Sequence, residues 1–131
     1  MRFKSYLYES KTRKSIFDSS ITVHVLYKDD PDYTIWEPQF KYYGLAIGVP
    51  DKRIIVWDGE AIKKLSKDEI LFIEAHEYSH FVLGKSASEA DCDKLAIKNL
   101  SNMGKKKAAN IGISGFYKRH GEKFKLYHGQ K

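Results

Sequence analysis

Hydrophobic positions change period once along this chain. Up to residue 57 they occur in short β-branched blocks, and after Ser66 they follow a helical repeat. Ile21 to Tyr27 reads ITVHVLY, a strand stopped by Asp29-Asp30-Pro31-Asp32. Tyr42 to Val49 and Arg53 to Trp57 read as two further strands, with Pro50-Asp51-Lys52 turning between them. Residues 29–40 contain Pro31 and Pro38 and read as a loop. Residues 1–19 are ambiguous. Phe3, Ser5 and Leu7 alternate with polar neighbours as in a strand, and a short helix near Ile16-Phe17 fits equally well. A small sheet, antiparallel or mixed, is expected.

The second half is helical. Ser66-Lys67-Asp68-Glu69 is a capping box, with an N-cap serine and a glutamate three residues on. It launches an apolar helix to Leu83, and Gly84 is a natural stop. Lys85-Ser86-Ala87 makes a turn, and Ser88 can cap a second helix from Glu89 to about Met103. A third should begin among the lysines after Gly104. There Ala109, Ile113, Phe116 and His120 would form one buried stripe. The fold class is α+β: a sheet, then three helices, in a single domain spanning 1–131.

Composition narrows the setting. Hydrophobic content of 42% belongs to a folded globular chain. Cys92 is the lone cysteine, so no internal disulfide can form. No apolar run reaches the length of a secretory signal or a membrane span. A soluble, cytoplasmic monomer is expected. The net charge of +6 is uneven: from Gly104 onward, Glu122 alone opposes the basic residues. A basic tail can meet nucleic acid, but no RNA-binding motif or DNA-reading helix accompanies it, so a solvated helix face is the favoured reading.

The candidate chemistry lies in His76-Glu77-Tyr78-Ser79-His80, an HExxH pattern inside the apolar helix. Residues i and i+4 share a helix face, so two imidazoles can close on one Zn²⁺, with Glu77 beside it as general base. A catalytic zinc needs a third protein ligand. Stepping about 100° per residue along the next helix puts Glu89 and Asp93 on its apolar face and Asp91 among solvated lysines. In a helix hairpin pivoting near Gly84-Lys85, Glu89 falls opposite His80 and Asp93 opposite His76. Glu89 is thus the expected third ligand. Asp93 is expected to accept the free ring N–H of His76 and fix its tautomer.

HExxH followed by Glu89-Ala-Asp-Cys-Asp93 (ExxxD) resembles the gluzincin branch of zinc metallopeptidases. The compact size is similar to the minigluzincins and to small peptidases of phages and mobile elements that act on repressors. The resemblance covers roughly residues 42–100 and is specific at 76–93. It implies a zincin-like fold with an active-site helix, a glutamate helix and a C-terminal helix. It also implies zinc on His76, His80 and Glu89, water activation by Glu77, and support of His76 by Asp93. Only eight residues separate His80 from Glu89, so no subdomain is inserted there. Leu83 and Ser86 stand where the metzincin branch has Gly and His, and no Gly-Thr-x-Asp element is present.

The function expected is zinc-dependent endopeptidase activity on a protein or peptide, laid extended along a sheet edge, the 42–49 strand, where Gly44 and Gly48 leave room. A latent zinc-binding protein that acts through protein or nucleic-acid interaction is the alternative. Tyr78 points away from His76 on the helix, which leaves Tyr117 and His120 as candidate oxyanion donors. His24 and His128 are background.

Overall fold

A computed structural model describes residues 12–84 and 86–114. Strands β1 (Thr12–Lys14), β2 (Thr22–Leu26), β3 (Ala46–Val49) and β4 (Ile54–Asp58) form one four-stranded sheet in the order β1-β2-β4-β3. The helices are α1 (Tyr33–Tyr43), α2 (Gly59–Ile62), α3 (Lys67–Leu83), α4 (Glu89–Asn102) and α5 (Lys106–Ile113), with a 3₁₀ turn at Pro50–Lys52. β2 and β4 are parallel, while β1 and β3 run antiparallel to their neighbours. The sheet is therefore mixed.

Alternation along the central strands sorts the side chains into two layers. Val23, Val25, Ile55 and Trp57 face α3, α4 and α5, and bury with Phe72, Ile73, Ala96 and Leu100 in the main core. Val56, with Ile54 and Ile47 beside it, faces the other way and packs on Tyr33, Trp36 and Phe40 of α1. α3 is sandwiched between sheet and helices. Phe72 through Glu77 are all buried, and that is why its sequence is apolar nearly all round.

Two expectations require correction. Residues 33–43, read as a loop passing into a strand, are a helix, and β3 begins only at Ala46. Tyr33, Trp36 and Phe40 recur at helical spacing, and their burial on the sheet outweighs Pro38. Thr34 and Pro38 both lie on the exposed side, where water can take the acceptor that the proline leaves without a donor. The stripe predicted for the last helix holds at Ala109 but fails at Ile113. Ala108 and Ala109 are buried, whereas Ile113 is 64% exposed. A Cβ on Gly112 would lie 2.4 Å from the Phe72 ring, so α5 turns a glycine to the core where the closest approach occurs. The alternating segment Phe3–Leu7, the turn residue Lys85, and Phe116, Tyr117, His120 and His128 lie outside the described residues.

Glu74 is fully buried on α3, yet it is a carboxylate. It accepts hydrogen bonds from Ser15 Oγ (2.8 Å) and Ile16 N–H (3.1 Å), and it pairs with the Arg13 guanidinium. This network ties the segment after β1 to the helix that carries His76. Burying such an ion is tolerable only with its donors in place. Glu74→Ala should therefore destabilise the fold by about 3 kcal/mol. Arg13→Ala should cost about 1 kcal/mol, because water can partly replace that exposed side chain. Urea unfolding midpoints of the two variants test this ordering.

Candidate metal centre

The site is built at a helix hairpin. Ser66 Oγ accepts from Glu69 N–H (3.1 Å) while the Glu69 carboxylate accepts from Ser66 N–H (2.8 Å), closing the capping box that starts α3. His76 and His80 then fall one turn apart, with ring centroids separated by 5.2 Å. Gly84 ends the helix with φ +108°, a value that favours glycine, and its N–H bonds the His80 carbonyl at 2.9 Å. Ser88 caps α4 by accepting from Asp91 N–H at 3.0 Å. α4 returns alongside α3 with Cys92, Ala96 and Leu100 inward, which turns Glu89 and Asp93 toward the histidines and leaves Asp91 exposed.

The polar atoms converge closely. His76 Nε2 lies 2.7 Å from Glu89 Oε1, and His76 Nδ1 lies 2.7 Å from Asp93 Oδ1. The second Glu89 oxygen is 3.5 Å from His80 Nε2. The Glu89 carboxylate therefore spans both histidines, closer to His76 than the simple hairpin pairing with His80 suggests. One ligand atom from each of His76, His80 and Glu89 fits within a 4.8 Å group. Among the described residues, neither ring nitrogen of buried His80 has a hydrogen-bond partner. Such a group is costly to bury unless something else satisfies it, and a borderline cation suits two imidazoles and a carboxylate. The residues present fit a metal.

His76 also shows what the metal-free site does with its charge. Burial lowers the basicity of the ring, but hydrogen bonds to Asp93 and Glu89 raise it more, and the pKa moves from 6.5 up to about 9. At neutral pH the ring is an imidazolium donating to both carboxylates. This contribution to metal-free stability is complete below pH 6.5 and is lost as pH rises through about 9. A metal ligand must give up the Nε2 proton, so the sign for metal binding is opposite. Binding at pH 7 should release about one proton, and apparent affinity should climb with pH until about 9. Calorimetry in buffers of different ionisation enthalpy measures that proton directly.

Glu77 and His80 line a cleft of about 830 Å³ that runs along β3 to α1. Glu77 is only 5% exposed. Gly48 lets it approach the strand: a Cβ there would meet the Phe81 ring at 3.0 Å and Glu77 Oε1 at 3.3 Å. Tyr78 stacks on Phe17, with centroids 5.4 Å apart, on another side of α3. His24 is half-buried on β2, remote in the sheet order from β3. Reading residues 29–40 as a loop hid Ile35, Trp36 and Gln39 as cleft-lining groups, although Ile35, Gln39 and Tyr42 already stood at helical spacing.

No helix among the described residues is long and apolar enough to cross a membrane. No protein-family model, curated protein or solved structure matches the chain significantly. The likeness to gluzincins therefore rests on the residues of the site, and the finding they carry is a His-His-Glu cluster fit to hold a metal ion.

Proposed function

We propose that this chain is a zinc-dependent endopeptidase. The observation that carries the reading is the convergence of His76, His80 and Glu89 on one point, with neither nitrogen of buried His80 hydrogen-bonded among the described residues. His76, His80 and Glu89 would hold Zn²⁺, and Asp93 would keep the remaining His76 proton on Nδ1. When bound, the ion would supply Lewis acidity and make an attacking water more acidic. Glu77, beside His80 in the cleft, takes the proton of the attacking water and passes it to the leaving amine. β3 is the last strand of the described sheet, so an extended peptide can add to its outer edge through main-chain hydrogen bonds.

Metal analysis and a peptide-library digest test this together. Purified protein should carry about one equivalent of zinc. It should cut peptides, and chelation should stop the cutting until zinc is restored. A protein that holds no zinc above background, or that cuts equally well after chelation, would overturn the reading.

A further inference from the structure

The wall of the cleft opposite the metal centre carries chemistry of its own. α1 has two distinct faces. Tyr33 and Phe40 bury against the sheet, whereas Ile35, Gln39 and Tyr42 follow at i, i+4 and i+7 along the side that lines the cleft, with Trp36 and Tyr43 beside them. The charged residues of this helix, Glu37 and Lys41, do not belong to that lining. Ile35 is 67% exposed and Tyr42 is 50% exposed. An uncharged, aromatic-rich face open to solvent beside a candidate site marks a surface that something apolar covers.

β3 supplies the geometry of the occupant. It pairs with β4 on one side only among the described strands. Ala46 and Gly48 turn toward α3, and Ile47 packs in the layer beneath α1. A peptide added to the free edge alternates in the same way. Every second side chain faces Glu77 and His80, and those between face α1.

We propose that α1 is the specificity element of the cleft. It accepts apolar or aromatic side chains at alternate positions of an extended peptide and disfavours charged ones. The proposal rests on the peptidase reading for the identity of the occupant. Its physical basis is the continuity of one cleft from Ile35 and Tyr42 to Glu77 and His80.

The test uses two labelled ten-residue peptides, alternating Leu with Ser or Asp with Ser, titrated against zinc-loaded full-length protein carrying Glu77→Gln to suppress turnover. The Leu peptide should bind about tenfold tighter or better, against the pull of a +6 protein on the acidic peptide. Adding Ile35→Glu or Tyr42→Glu should remove that preference while zinc content and thermal midpoint stay the same. Equal binding of the two peptides, no binding of either, or a preference that survives both substitutions overturns the proposal. Digestion by the otherwise unaltered protein separates the two readings. Selective binding without hydrolysis of the Leu peptide removes the peptidase reading and leaves the groove. Hydrolysis with no preference that α1 controls does the reverse.

Discussion

Glu77→Gln is expected to bind zinc as tightly as the unaltered protein and to hydrolyse peptides about 10²–10⁴ times more slowly. The side chain is buried between α3 and β3 and lines the cleft next to His80, but it is not one of the three converging ligand groups. An amide keeps its size and can still hydrogen-bond, yet it cannot accept the proton of the attacking water. The loss should therefore appear in kcat, with little change in zinc stoichiometry or folding. Zinc content by elemental analysis and turnover of a fluorogenic peptide provide the two readouts. Loss of zinc together with activity would show that Glu77 organises the ligands, and undiminished turnover would remove it as the base.

The second large effect concerns α4. Glu89→Ala removes a carboxylate whose two oxygens reach His76 at 2.7 Å and His80 at 3.5 Å. It should weaken zinc binding by more than the roughly 10–100-fold expected for a residue that only supports a ligand. Asp93→Asn, which weakens the acceptor held 2.7 Å from His76 Nδ1, should fall within that supporting range. Asp91→Ala should change nothing, because Asp91 is exposed on the opposite side of the helix. The three lie within one helical turn and a half, so the series tests orientation and not simply local acidity. Competition with a chromophoric chelator gives the affinities, and equal losses for Glu89→Ala and Asp91→Ala would contradict the site.

Much of the α3–α4 hairpin is local information, and that is why it was legible. The capping box at Ser66, the stop at Gly84 and the cap at Ser88 each act within a few residues, and all three form as their chemistry requires. Helical phase then follows from 3.6 residues per turn, which distinguishes Glu89 and Asp93 from Asp91 without tertiary knowledge. α1 was illegible for the opposite reason. Pro38 and the acidic run before it argue for a loop, and only the sheet face built by Ile47, Ile54 and Val56 makes a helix there favourable. Glu74 belongs with α1: a glutamate in a helix reads as solvated until Ser15 and Arg13, some sixty residues away, supply its donors.

By itself, then, the sequence determined where α3 and α4 start and stop and which of their side chains share a face, because caps and periodicity are short-range. It also determined that two histidines and a glutamate could meet. The tertiary structure alone decided that β2 and β4 run parallel and that α1 covers the back of the sheet. It also decided that Glu77 sits against β3 at Gly48. Those outcomes depend on burying apolar faces contributed by distant segments, a free energy that no local window contains. The candidate ligands come from local order. The cleft that would present a substrate to them comes from packing.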